Sequence, residues 1–235
     1  MSASLIQSLD LMRTAEAEEE GLQGKSLPRS VGWNLENYER KQIDGLVRRV
    51  FFSDTVRPVR QVVFSAVDRE TDVRSICRRV GEALALETTE TVAVMGGCLR
   101  LLREVEGQKE DGTRPGNLPP LRRIAAKVRG NLWLVPAAGG DRGPVPTASL
   151  HSYLGELRRE FEYSIVEGPP AGEANETTAM AQFADGIILV LAAQQTRRIA
   201  ALRIKETLEG VHARLLGTVL SDRVFPIPEG IYRRL

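Results

Sequence analysis

Histidine, cysteine and net charge are all scarce in this chain, and each scarcity removes a class of function. His151 and His212 are the only histidines, so no histidine-based metal cluster is legible. Cys77 and Cys98 form no CxxC pair and no disulfide framework, which suits a reducing cytosol. Lysine plus arginine number 32 against 31 acids, so no global charge favours nucleic acid or a membrane surface. Long apolar runs are missing as well. Ile187-Ile188-Leu189-Val190-Leu191 has the length of a strand and is far too short to span a bilayer. The N-terminus lacks the basic start and apolar core of a signal peptide, so a cytoplasmic location is expected.

What is present is a regular alternation of strand and helix patterns. Residues 1–30 read as a mobile N-terminal segment and 31–235 as one α/β domain. In the first segment, Leu5, Ile6, Leu9 and Met12 can share one face of a short helix, ahead of an acidic run over 16–20. That stripe reads either as part of a solvated tail or as a partner-docking helix. Gly24-Lys25-Ser26 mimics the end of a phosphate loop, but no strand precedes it and Leu27-Pro28 follows where a helix should begin. The periodicity predicts a helix over 35–52, with Ile43, Leu46, Val47 and Val50 on one side. Strands are predicted over 61–66, 91–95, 132–135, 163–167, 186–192 and 215–220, mostly as continuous apolar runs typical of parallel strands covered on both faces. Helices are predicted over 73–85, 149–160, 175–183 and 196–211. This order implies a doubly wound, mainly parallel sheet with helices on both faces. Residues 106–120, rich in charge, Gly and Pro, read as a surface loop.

The most informative stretch lies between the first strand and the helix after it. Val67-Asp68-Arg69-Glu70-Thr71-Asp72 stands where a phosphate-binding loop would sit, yet it holds neither glycine nor lysine. Three carboxylates face one arginine. A helix N-terminus attracts an anion by about 0.3–1 kcal/mol at an exposed site. Two like charges about 4 Å apart repel by about 4 kcal/mol at intermediate dielectric, so the carboxylates outweigh the helix end. Side chains at Arg69 and Thr71 also crowd the backbone curvature that wraps a phosphate. Arg69 and Arg74 either replace the missing lysine or pair with the acids beside them. The basic pairs Arg122-Arg123, Arg197-Arg198 and Arg233-Arg234 lack interleaved aromatics and read as solvated faces or local ion pairs, so no nucleic-acid partner is expected.

From about residue 42 to 220 the chain resembles the cytoplasmic domain of bacterial tyrosine kinases of exopolysaccharide and capsule synthesis, relatives of the MinD/ParA-type P-loop ATPases. Phe161-Glu162-Tyr163-Ser164-Ile165-Val166-Glu167-Gly168-Pro169-Pro170 resembles the family's Walker B strand, Tyr-Asp-Tyr-Val-Ile-Ile-Asp-Thr-Pro-Pro. Ala184-Asp185-Gly186-Ile187-Ile188-Leu189-Val190 resembles its next strand. Thr196-Arg197, Leu216-Gly217-Thr218-Val219-Leu220 and Leu134-Val135-Pro136-Ala137 fit in order and spacing.

The positions that carry chemistry in that family depart from its pattern. The Walker A consensus falls on residues 68–75, where Ser75 matches the magnesium-binding threonine and Val73 stands at the lysine. The Walker B aspartate is Glu167, which reads either as an ordinary sheet-end acid or as a residual magnesium ligand through water. The second acidic motif is replaced by Met95-Gly96-Gly97-Cys98, and the adenine-reading asparagine by Ser221. The assembly motif corresponds at best to Gln42, Gly45 and Arg48, and the C-terminal tyrosine cluster to Tyr232 alone. The resemblance therefore implies a catalytically defective relative with no cofactor expected, acting as a binding or regulatory partner. Its implied partner is the cytoplasmic part of a membrane polysaccharide chain-length or export protein, or an active paralogue. That would place the chain in the cytoplasm or peripheral to the inner membrane, with Leu5, Leu9, Met12 and Arg48 as partner-facing residues. Two altered positions in the Arg48 segment should weaken a family-type ring and limit self-association to a monomer or small oligomer in isolation. The alternatives are a divergent active ATPase or tyrosine kinase, using ATP and Mg with Ser75, Glu167 and a nearby arginine, or a ParA/MinD-like positioning ATPase.

Overall fold

The computed structural model describes residues 35–96, 121–137, 147–172 and 175–222. Leu5, Ile6, Leu9 and Met12, the loop over 106–120, Gly97, Cys98 and Tyr232 lie outside the described residues. In chain order the elements are α1 (Leu35–Phe51), β1 (Gln61–Ala66), α2 (Val73–Glu87), β2 (Val92–Gly96), α3 (Leu121–Ile124), β3 (Ala126–Arg129), β4 (Leu132–Pro136), α4 (Thr147–Glu160), β5 (Tyr163–Glu167), α5 (Asn175–Phe183), β6 (Gly186–Ala192), α6 (Arg198–Gly210) and β7 (Leu215–Ser221).

These strands form one seven-stranded sheet in the order β3-β4-β2-β5-β1-β6-β7. All neighbours pair in parallel except β3 with β4, which is antiparallel at the edge. Strand β1 is central, with Val63 opposite Val166 on one side and Ile187 on the other. Its side chains alternate between two cores. Val62 and Phe64 join Val47, Ile76, Val80 and Leu84 under α1 and α2, with Ile165 and Ile188 from neighbouring strands. Val63 joins Leu154, Leu157, Met180, Ile204 and Leu208 under α4, α5 and α6. Both faces are therefore covered, as the unbroken apolar strands require. Ile43, Leu46, Val47 and Val50 are buried together on α1, as their spacing predicts. The α2 helix crosses close over the sheet at Gly81, where a Cβ would lie 2.2 Å from Val94 Cγ2.

The differences from the sequence reading have local causes. Strand β3 and helix α3 were not predicted. Ala-Lys-Val-Arg is an exposed edge strand with no apolar run, and charge on such an edge blocks further pairing. Helix α3 has only four residues and takes its N-terminal acceptor from afar: Leu121 and Arg122 N–H donate to the two Glu160 carboxylate oxygens, each at 2.8 Å. Helix α6 begins at Arg198 because Thr196 is used in the turn before it.

Asp185 closes the base of the sheet. Its Oδ2 accepts the N–H groups of Arg60 and Gln61, each at 2.8 Å, and its Oδ1 accepts from Arg158 at 2.7 Å. Hydrogen bonds to an ionised acceptor contribute more than neutral ones, and two backbone donors at the mouth of a buried strand would lose their partner together. Asp185→Ala should lower stability by about 2–3 kcal/mol in denaturant unfolding. Arg158→Ala, which removes only a half-exposed ion pair, should cost about 0–1 kcal/mol. Equal losses would show that the backbone contacts are not what Asp185 supplies.

Candidate functional site

Parallel α/β sheets offer their ligand sites beyond the carboxyl ends of the strands, and the acidic loop lies there, between β1 and α2. Several of the loop's polar groups are partnered by the chain itself. Val67 N–H donates to Val190 O at 3.2 Å, and Val73 N–H to Thr71 O at 3.0 Å. Asp72 is the N-cap of α2: its carboxylate accepts Ser75 N–H at 3.1 Å and the Ser75 hydroxyl at 2.6 Å. A helix start leaves backbone donors without intrahelical partners, and an aspartate there satisfies one of them while its charge favours the dipole. The negative group at this helix end is thus the chain's own. Val73, at the lysine position, is buried in the core with Ile76 and Cys77.

Asp68 points elsewhere. Its Oδ2 accepts the Thr196 hydroxyl at 2.6 Å, and the same hydroxyl accepts Ala192 N–H at 2.9 Å. At the end of β5, Gly168 N–H reaches Phe64 O and Ala171 N–H reaches Ala66 O, both at 2.8 Å. The Pro169 carbonyl accepts the hydroxyls of Ser65 and Thr177, each at 2.6 Å.

Glu167 stands at the mouth of the sheet with Arg74 Nε 3.6 Å from its Oε2. Its side chain lies across the end of β2. A Cβ built on Gly96 would fall 2.2 Å from Glu167 Oε2 and 3.1 Å from its Cβ. The Glu167 carboxylate therefore fills the space above Gly96 at the end of β2. Asp68, Arg69, Glu70, Thr71, Asp72, Arg74 and Glu167 line one cleft of about 480 Å³, floored by Pro169 and Pro170. Four carboxylates and two guanidinium groups face this volume. Thr71 in its wall is 7% exposed, and its Oγ1 has no hydrogen-bond partner among the described residues. A second cleft of about 770 Å³ lies between the loop and α6, with Asp68, Arg69, Glu70, Arg203 and Thr207 in its walls.

The structure brings together some of the sequence candidates and separates others. Glu167 and the acidic loop share the first cleft, whereas Ser75 is not among the residues lining it. Arg74 meets Glu167 rather than a loop acid. Ser221 is buried, with its hydroxyl 3.1 Å from Asp222 Oδ2. Arg48 is far from the cleft in sequence and setting: on α1 it donates to Glu87 Oε1 from Nε at 3.2 Å and from Nη2 at 2.7 Å. That hydrogen bond and the Glu87 charge raise the Arg48 pKa. Among the described residues no group of three or more His, Cys, Asp or Glu side chains is arranged to hold a metal ion. No helix among them is long and apolar enough to cross a membrane. Sequence reasoning missed the roles of Thr196 and Gly96. The Gly96 role had a signal: a residue without a side chain ends one strand where a long acid ends the strand paired with it.

No family model matches the chain. Over 95 residues it is 32% identical to the tyrosine-protein kinase CpsD of Streptococcus agalactiae serotype III (strain NEM316), covering 38% of this chain and 40% of that protein. A further Streptococcus agalactiae CpsD is 30% identical over 95 residues, with 41% of its length covered. The match thus spans less than half the length of these curated relatives. Among solved structures, the chimerical protein CapA2B2 superposes with a TM-score of 0.61 at 15% identity, over 79% of this chain and 85% of that one. The kinase domain of the Escherichia coli tyrosine kinase ETK gives 0.58 at 12% identity, over 81% and 78%. The MinC:MinD cell division protein complex of Aquifex aeolicus gives 0.54 at 18% identity, over 75% and 72%. The chain is homologous to the CpsD tyrosine-protein kinases over the matched stretch, and its fold is the mainly parallel α/β fold of these structures.

The contact between Glu167 and Gly96 is testable by a double-mutant cycle. Gly96→Ala turns the end of a flexible carboxylate side chain aside and should cost at most about 1 kcal/mol in denaturant unfolding. Adding Glu167→Ala removes the contact, so the pair should be non-additive by about 0.5 kcal/mol. Strict additivity would mean that the two side chains do not compete for the same space.

Proposed function

We propose that this chain is a catalytically defective relative of the bacterial tyrosine kinases that works as a binding or regulatory partner in exopolysaccharide or capsule synthesis or export. The observation that carries this reading is the Asp72 carboxylate on the first turn of α2, where it takes both the N–H and the hydroxyl of Ser75. Phosphoryl transfer is mostly positioning plus stabilisation of negative charge. The residues present do not fit a magnesium nucleotide. Ser75 donates to Asp72, Val73 is a core side chain, and Glu167 already lies against Arg74 and over Gly96. A triphosphate entering the cleft would meet Asp68, Glu70, Asp72 and Glu167 before it met a lysine. No catalytic step is therefore assigned to this site.

The partner in this reading is the cytoplasmic part of a membrane-embedded polysaccharide chain-length or export protein, or an active paralogue. The homology to CpsD tyrosine-protein kinases supports the setting, and the covered, fully packed sheet supports a folded module for binding. One observation favours a second reading, a divergent ATPase: Glu167 and Arg74 do line the same cleft. The two readings differ in a measurable way.

Calorimetric titration with Mg-ATP should give no binding at millimolar nucleotide. A dissociation constant below about 100 μM, near −5.5 kcal/mol, would favour the divergent enzyme. Incubation with Mg-ATP should leave no phosphotyrosine on Tyr232, and its appearance there, lost in Glu167→Ala, would end the pseudokinase reading.

The binding role needs its own experiment. The full-length chain should co-purify with membranes that contain the polysaccharide export component, and a variant lacking residues 1–30 should bind less. A chain that stays wholly soluble in the presence of that component would rule the docking role out.

A further inference from the structure

Two carboxylates at the loop do work that a bound ligand would otherwise do. We propose that Asp72 and Asp68 are built-in ligands that hold the loop over 67–72 and the corner between β6 and α6 in one closed arrangement, with no small molecule required. This rests on the reading that the loop takes no nucleotide. Asp72 ties the loop to the first turn of α2 through Ser75. Asp68 ties it to a segment 128 residues away, through the Thr196 hydroxyl.

The β6–α6 corner depends on that second tie. Gln195 and Thr196 N–H both close on Ala192 O, at 3.3 and 3.0 Å, and the Thr196 hydroxyl accepts Ala192 N–H. Gln194 sits at φ 63°, a left-handed conformation that a non-glycine residue adopts only when its surroundings impose it. Arg197, the N-cap of α6, offers no side-chain hydrogen bond. The strap from Asp68 therefore stands one residue ahead of a helix start that lacks a side-chain cap. A bond to an ionised acceptor is stronger than a neutral one, so this strap is well suited to fixing the corner. A partner would meet the loop and the start of α6 in one arrangement, whatever the nucleotide concentration.

Hydrogen exchange on the full-length chain tests this. The hydrogen-bonded amides of Val73, Ser75, Ala192, Gln195 and Thr196 should exchange slowly in the wild type, and equally with and without Mg-ATP. Asp68→Ala should speed exchange of the Ala192, Gln195 and Thr196 amides by on the order of tenfold, while the amides of β5 stay unchanged as a control for folding. Thr196→Val cuts the same bond from the other side and should reproduce the effect. Asp68→Asn, which keeps an acceptor oxygen, should retain most of the protection. Unchanged exchange in both Asp68→Ala and Thr196→Val would overturn the strap and leave the reading of the nucleotide site standing. Slowing of the wild-type loop by Mg-ATP would overturn both, because a ligand would then be closing what the carboxylates are said to close.

Discussion

Strand β1 is covered on both faces, so the polar groups along it and at its upper end are shielded from water. That constraint organises the rest of the structure. Every buried backbone N–H and C=O needs a partner, and at the ends of a central strand the ladder no longer supplies all of them. At the base Asp185 answers for Arg60 and Gln61. At the top Gly168 and Ala171 N–H answer for Phe64 and Ala66 carbonyls, and Val190 O answers for Val67 N–H. Ser65, buried within the strand, sends its hydroxyl to Pro169 O. The segment after β5 therefore lies close against the end of β1 and forms the floor of the cleft.

The same demand at the start of α2 decides the chemistry of the loop. A phosphate-binding loop leaves backbone donors open for an anion that arrives later. Here Asp72 has already supplied the anion. A cap of this kind contributes about 1 kcal/mol, which is modest, but an incoming phosphate must displace it and also approach the remaining carboxylates of the cleft. The loop holds no lysine to offset this charge, and Val73, the first residue of α2, is a core side chain. Fold stability and anion binding thus pull on the same few groups, and the sequence of the loop satisfies the first.

Much of the fold was legible because fully buried parallel strands are apolar along their whole length. The bounds of β1, β5 and β6 match the apolar runs, and α2 and α5 follow their periodicity. What was illegible is what depends on distant residues. Helix α3 has no helical pattern of its own and takes its N-terminal acceptor from Glu160, 39 residues on. Strand β3 is an edge, so nothing forces its side chains to be apolar. At the site, the acidity of the loop and the absence of lysine from it could be read directly. That Asp68 turns to Thr196, or that Arg74 turns to Glu167, could not, because ion and hydrogen-bond partners across a sheet are set by topology rather than spacing. Arg48 is a similar case on another surface: its ion pair with Glu87, 39 residues on, has no signal in the spacing of the sequence.

Glu167 and Gly96 show why single positions mislead when read one at a time. Taken alone, Glu167 is a carboxylate at the end of β5 with Arg74 as its ionic neighbour. Taken alone, Gly96 is a residue without a side chain at the end of β2. In the structure they share one volume: the Glu167 carboxylate lies where a side chain on Gly96 would be. A side chain at 96 would have to turn that carboxylate aside, and a shorter acid at 167 would leave a gap at the rim of the cleft. The arrangement at this edge is therefore held by packing as well as by charge.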